Sequence, residues 1–201
     1  MRTVLYLVIG IICALAGCSS PQVRYHTLVS PAPVSRVAAP SGFAIAVLPV
    51  GVPAQLDSQQ VVVRQSDSRV VVLDNDRWLS PLGDELQTAL SLAMTQQLNT
   101  EDVAGIARDN SKPVVRVLLQ IRRFDSWPGN AVSLDADWSL STSQGSENRR
   151  LVCRSHLSQS VSGDPAQMFA AWQGVVERLA TQTAETAAQW MATGSAACRR
   201  S

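Results

Sequence analysis

The sequence predicts an α+β fold, with two helices packed on one face of an antiparallel or mixed β-sheet in a single domain. Three observations lead there. Val132, Leu134, Ala136, Trp138 and Leu140 alternate with Ser133, Asp135, Asp137, Ser139 and Ser141, the period-2 pattern of a half-buried strand. Two segments, beginning at Ser80 and at Asp164, open with helix-start signals and continue with apolar residues at helical spacing. The elements follow one another as strand, hairpin, helix, meander and helix, without an internal repeat.

The chain begins with Arg2, an apolar run from Val4 to Ala16, and the four residues Leu15-Ala16-Gly17-Cys18. The run is short for a permanent bilayer span and has the flanks of a signal peptide. Leu-Ala-Gly-Cys resembles the lipobox of bacterial lipoproteins. A thiol at Cys18 can form a thioether to diacylglycerol. Small residues at Ala16 and Gly17 let a membrane peptidase cut before Cys18, whose freed amine is then acylated, palmitate being a typical chain. The alternative is a plain signal peptide or uncleaved anchor with Cys18 incidental. Two or more acyl chains hold a protein on a membrane almost irreversibly, each buried methylene contributing roughly 0.8 kcal/mol. Ser19 follows Cys18. Asp at that position commonly signals inner-membrane retention in Gram-negative bacteria, so the default destination is the outer membrane, periplasmic side. The expected organisation is a signal peptide over 1–17, a lipidated tether over 18–42, the folded domain over 43–194 and a tail over 195–201.

Within the tether, Ser30–Ser35 and Ala38–Gly42 are rich in Pro, Ala and Ser and read as extended. Tyr25-His26-Thr27-Leu28 has strand-like composition and can pair with an edge of the domain. Phe43–Val50 is nearly continuous apolar sequence, as in an enclosed strand. Val61–Arg64 and Arg69–Leu73 form a hairpin around Gln65-Ser66-Asp67-Ser68. Asp74-Asn75-Asp76-Arg77-Trp78 reads as a polar turn ending in an aromatic. The first helix has Ser80 as cap, Pro81 in the first helical position, and Asp84 and Glu85 where the dipole favours acids. Leu79, Leu82, Leu86, Leu90, Ala93 and Met94 give its apolar face, and it should end near Leu98-Asn99.

Val115, Val117, Leu119 and Ile121 then alternate with Arg116, Gln120 and Arg122 in another strand. Gln144-Gly145-Ser146 turns the 132–140 strand back into Arg150–Val161, whose inward set is Leu151, Cys153, Ser155, Leu157 and Val161. In the last helix Asp164 and Gln167 have capping-box spacing and Pro165 is first. Phe169, Trp172, Val176, Leu179, Trp190 and Met191 form its apolar face, and Gly194 stops it.

Composition narrows the function. The chain has 17 Lys and Arg against 16 Asp and Glu. Of these only Arg2 leaves with the signal peptide, so the mature chain is formally neutral, and nucleic acid is not an expected partner. Of four cysteines, Cys13 lies in the signal peptide and Cys18 carries lipid. Cys153 and Cys198 can form a disulfide in an oxidising compartment. The alternative is a buried free thiol at Cys153 and an idle Cys198. No metal site and no cofactor are expected. Hydrolase, P-loop and dinucleotide signatures are absent from the sequence. His156 reads as an exposed strand residue, and Asp135 and Asp137 as the solvated face of a strand, so an enzyme is not expected. Trp78 and Trp138 can be core or interface residues. Asp74–Arg77 leading into Trp78, and Ser126-Trp127-Pro128-Gly129, are the loops expected to meet a partner. Arg77, Trp78 and Trp127 are the candidate contacts, since Trp and Arg concentrate interface energy.

Val61–Val70, then Arg77-Trp78-Leu79-Ser80-Pro81-Leu82 and the helix to Leu98, resemble the PqiC family of ABC-type transport auxiliary lipoproteins. The lipobox, Tyr25–Leu28 and the Ile45–Pro49 strand join that resemblance, which covers the mature chain. It implies an outer-membrane lipoprotein that docks with MCE-domain tunnel proteins of the inner membrane in intermembrane phospholipid transport. It carries over no catalytic residue. A cap for a ring-shaped tunnel gains avidity from a cyclic homo-oligomer of its own. The alternative is an outer-membrane lipoprotein that binds a cell-wall synthase or a secretion machine; a weak periplasmic hydrolase is the third reading. A tether of about 20 residues, fully extended, would let the domain stand roughly 65 Å from the membrane.

Overall fold

Four consecutive apolar residues, Ala44–Val47, are all buried, as an enclosed strand requires. In this computed structural model, which describes residues 22–31, 39–106, 112–144, 147–163 and 165–198, they form the second of seven strands. The order is β1 (Arg24–His26), β2 (Ala44–Val47), β3 (Gln60–Arg64), β4 (Val70–Trp78), α1 (Leu82–Leu98), β5 (Val114–Trp127), β6 (Ala131–Gln144), β7 (Glu147–Ser160) and α2 (Pro165–Thr193). Cys18, the 145–146 turn and Asp164 lie outside the described residues.

The fold is α+β, as expected, with one difference in the strands. They form two sheets: a large one in the order β2-β5-β6-β7 and a small one in the order β1-β4-β3. β2 lies parallel to β5, and β5, β6 and β7 run antiparallel. Val115, Val117, Leu119 and Ile121 of β5 are buried on one face, together with Val132, Leu134, Ala136, Trp138 and Leu140 of β6 and Cys153, Ser155 and Leu157 of β7. Both helices cover that face, their Leu86, Leu90, Met94, Trp172, Val176 and Leu179 joining the same core. The other face carries Arg116, Leu118, Val152 and Arg154 to solvent.

A bulge between Ile121 and Arg123 breaks the β5 alternation. It turns both Arg122 and Arg123 outward and aims Phe124 and Ser126 inward. Phe124 then stacks on Trp172 with centroids 3.5 Å apart, and the Trp172 indole N–H donates to Ser126 Oγ at 2.9 Å. The Trp138 indole N–H donates to Ser155 Oγ at 2.9 Å, so these two buried indoles each have a partner.

The carboxyl-terminal ends of both helices follow the sequence, and the start of α1 exchanges roles. α1 ends where Asn99 takes the left-handed conformation (φ 46°) and its amide reaches the Gln96 carbonyl. Pro81 occupies the cap position, and no side chain caps the helix. The expected cap, Ser80, instead donates its hydroxyl and its amide to Glu85 at 2.9 and 3.1 Å. α2 stops at Gly194 (φ 80°), whose amide donates to the Trp190 carbonyl. Just beyond, Cys198 is bonded to Cys153, with Cα atoms 5.4 Å apart across a separation of 45 residues.

Two segments depart from the sequence reading. Asp74–Trp78 is not a turn: it is the second half of β4, and β1 pairs with it in parallel through Arg24↔Asp76, Tyr25↔Arg77 and His26↔Trp78. Leu79 lies outside α1 and is 60 % exposed, so it does not belong to that helix's apolar face. The start of the presumed tether is likewise inside the fold, with Leu28 buried in the core at 1 % exposure.

Candidate interaction surface

The docked N-terminal segment is held by two buried carboxylates. Asp76, 7 % exposed, receives the Arg24 guanidinium through Nε at 2.9 Å and Nη2 at 2.8 Å, and lies 2.7 Å from His26 Nε2. The His26 ring stacks on Phe169 of α2 at 3.4 Å between centroids. Phe169 in turn meets the edge of Trp78 at 5.5 Å. Next along the chain, Glu85 Oε2 accepts the Thr27 hydroxyl at 2.8 Å and the Leu28 amide at 2.9 Å. Gln173 Nε2 donates to the carbonyls of Thr27 and Val29, both at 3.0 Å. Side chains from β4, α1 and α2 therefore converge on residues 24–29.

The Arg24 fork beside Asp76 holds that carboxyl below its usual range; burial pulls the other way and His26 adds to the lowering. A carboxyl depressed in the folded state contributes stability above its unfolded value, near about 3.9, and loses it as pH falls through the folded value. Arg24 is 65 % exposed, so the pair itself is worth about 1 kcal/mol or less. Asp76→Asn should therefore be less stable than the parent near neutrality, with the gap closing below about pH 4. Denaturant midpoints of both proteins across that range check this, and a constant gap would contradict it.

The three candidate contacts fall in three environments. Trp78 is a core residue, 2 % exposed, edge-on to Phe124 and Phe169, and is not a partner contact. The reason is register: Asp76 and Trp78 alternate inward along β4 once Asp76 is neutralised. Arg77 points to the opposite face of β4, half-buried, its Nη1 donating to the carbonyls of Leu73 and Asp76 at 2.6 and 2.8 Å. Trp127 is half-buried at the end of β5, beside the exposed turn Pro128-Gly129-Asn130, where Gly129 has φ 73°. The two loops expected to act together thus reduce to this one. Between the β3–β4 hairpin and β5 opens a cleft of about 370 Å³, lined by Leu56, Val62, Val70, Val72 and Phe124. The Arg64–Asp125 pair, 3.1 Å apart, stands beside it.

The outer face of the large sheet is a ladder of ion pairs. Asp137 lies between Arg154 at 2.6 Å and Arg122 at 2.8 Å; hydrogen bonds first from Arg154 and then from Arg122 keep it below the usual carboxylate range. Asp135 meets Arg123 at 2.9 Å and His156 at 2.9 Å. Each carboxylate has basic partners of its own, which fits the solvated-face reading of the sequence rather than a shared acid–base pair. Among the described residues no group of three or more His, Cys, Asp or Glu could hold a metal ion.

A family model described as ABC-type transport auxiliary lipoprotein component matches residues 26–184. The chain belongs to that family. Its members' shared segment starts at His26, inside the docked strand, and reaches into α2. The Escherichia coli (strain K12) intermembrane transport lipoprotein PqiC is 27% identical over 129 residues, 63% of this chain and 68% of that protein. An uncharacterised protein of known structure superimposes with TM-score 0.63 at 22% identity, over 82% of this chain and 98% of that one. A Xanthomonas campestris protein does so at 0.55 and 18% identity, over 87% and 94%. These two likenesses concern the fold.

The residues that organise this family member's N-terminal segment were hidden in the sequence. Asp76 sat in an apparent turn, and Glu85 had an ordinary dipole role. The available signal is local alternation: Arg24 and His26 are two residues apart, as are Asp76 and Trp78, so each pair shares a strand face.

Proposed function

We propose that this protein is an outer-membrane lipoprotein, facing the periplasm, that acts without catalysis as the docking component of an MCE-type intermembrane phospholipid transport system. The observation that carries this is the family match over 26–184. The E. coli relative named for intermembrane transport supports it, as do the lipobox at Cys18 and the absence of Asp after it. The partner is an MCE-domain tunnel protein of the inner membrane, and a cyclic homo-oligomer matches a ring-shaped tunnel by multiplying weak contacts.

The test is co-purification from detergent-solubilised membranes, with fractionation of the two membranes and mass analysis of the N-terminal peptide. An MCE-domain protein should co-purify, and acyl mass should sit on Cys18 in the outer-membrane fraction. Capture of a cell-wall synthase or a secretion component instead would reject the reading, as would fatty-acid labelling of a Cys18→Ser protein.

Trp127 is the contact residue this function needs. Trp127→Ala should weaken partner binding or assembly while leaving the melting temperature nearly unchanged, because the side chain is only half-buried at a hairpin end. A much earlier melt, or binding equal to the parent, would assign Trp127 to its own loop instead.

A further inference from the structure

Docking of residues 24–29 brings together an exposed surface next to the lipid attachment point. Tyr25 lies opposite Arg77 in the β1–β4 register. Val23 immediately precedes β1 and Leu79 immediately follows β4, so both flank this pair of residues, and both are exposed. Tyr25 at 61 % and Leu79 at 60 % are among the most exposed large apolar side chains of the described residues, and Val23 is 41 % exposed. The Leu79 amide donates to the His26 carbonyl at 2.8 Å, so this segment is locked beside β1 rather than free to swing. The opposite side of the same strands, His26 and Trp78, is packed against Phe169. The patch is therefore one-sided, apolar with an amphipathic ring and a guanidinium on it.

We propose that the face formed by Val23, Tyr25, Arg77 and Leu79 seats the domain on the bilayer, in the headgroup region. The proposal rests on the lipidation of Cys18 given above. Its argument is chain length: five residues separate Cys18 from Arg24. At full extension the strand starts within about 20 Å of the lipidated cysteine, against roughly 80–90 Å for a tether that ran free to residue 43. The first folded residues are thus held near the headgroups whatever path the intervening chain takes. The chemistry suits that layer: Tyr and Arg bury an apolar body and keep a polar end wet, which is why they gather at membrane interfaces. Val23 and Leu79 add exposed apolar area beside them. The mature chain is formally neutral, so general charge attraction does not orient it, and this local patch does.

The experiment uses the full lipidated protein in vesicles of phosphatidylethanolamine and phosphatidylglycerol. A polarity-sensitive nitrobenzoxadiazole dye is placed by Leu79→Cys or, as a control, by Ser66→Cys in the exposed β3–β4 turn. The dye at 79 should shift to shorter wavelength on vesicle binding and be quenched by bromine-bearing lipids, and the dye at 66 should do neither. Acylated, vesicle-bound protein with water-like emission at 79 overturns the proposal and leaves the lipid anchor standing. Protein that carries no acyl mass and does not float with vesicles overturns both. A shift at 79 in the soluble Cys18→Ser protein without vesicles, growing with protein concentration, would assign the patch to a second copy of this chain instead.

Discussion

Glu85→Ala is expected to release residues 24–29 from the domain and to lower its stability by about 3–4 kcal/mol. Glu85 is 4 % exposed and receives four donors: the Thr27 hydroxyl, the Leu28 amide, and the Ser80 amide and hydroxyl. Removing it leaves two backbone N–H groups unsatisfied, each costing about 1–3 kcal/mol when buried. The cheapest relief is for the segment to leave, which also withdraws Leu28 from the core. Trypsin should then cut after Arg24, a bond that pairing with β4 protects in the parent. The melting temperature should fall by about 10 °C for a domain of this size. Glu85→Gln should be intermediate, since an amide offers one acceptor oxygen where the carboxylate offers two. An unchanged melting temperature together with a resistant Arg24–Tyr25 bond would show that Glu85 does not hold the segment.

Cys198→Ser should cost a comparable amount, about 4 kcal/mol by the chain-entropy account of a loop of this length. The bond joins β7 to the chain just after α2 across 45 residues. Cys198 is the better position to change than Cys153, which is 5 % exposed in the core, where a serine hydroxyl would lack a partner. The variant should show the same native far-ultraviolet spectrum and a lower denaturant midpoint, and reductant should lower the parent's midpoint to match. A parent midpoint insensitive to reductant would contradict the entropy account.

What the sequence revealed depended on how local the controlling contacts are. β6 and the carboxyl-terminal ends of both helices are legible because alternation, Asn99 and Gly194 act within a few residues. The second half of β4 was not, because Asp74, Asn75 and Asp76 match the composition of a turn. What makes Asp76 a strand residue is Arg24, fifty-two positions earlier. Trp78, open between core and interface in the sequence, turns inward by the same register, which removes it from the candidate contacts. Arg122 follows the alternation, but the outward turn of Arg123 needs the β5 bulge, which no residue type announces. Trp127 was legible in part, as a hairpin-end aromatic, whereas the contacts that dock residues 24–29 come from three separate elements.

The clamp also dictates an order of folding. Gln173 closes on Thr27 and Val29 across 146 and 144 residues, and Phe169 stacks on His26. Loop-closure entropy grows with the logarithm of such separations, so these contacts form only when most other structure is already in place. A chain delivered to its compartment amino end first will have β1 in hand long before the helix that must receive it. Its first strand waits, uncovered on the face that Phe169 and Gln173 meet, until nearly the last element has arrived. Maturation near the membrane is therefore completed by the carboxyl-terminal helix, and a chain stalled or truncated before residue 169 keeps a loose, protease-sensitive root beside its anchor.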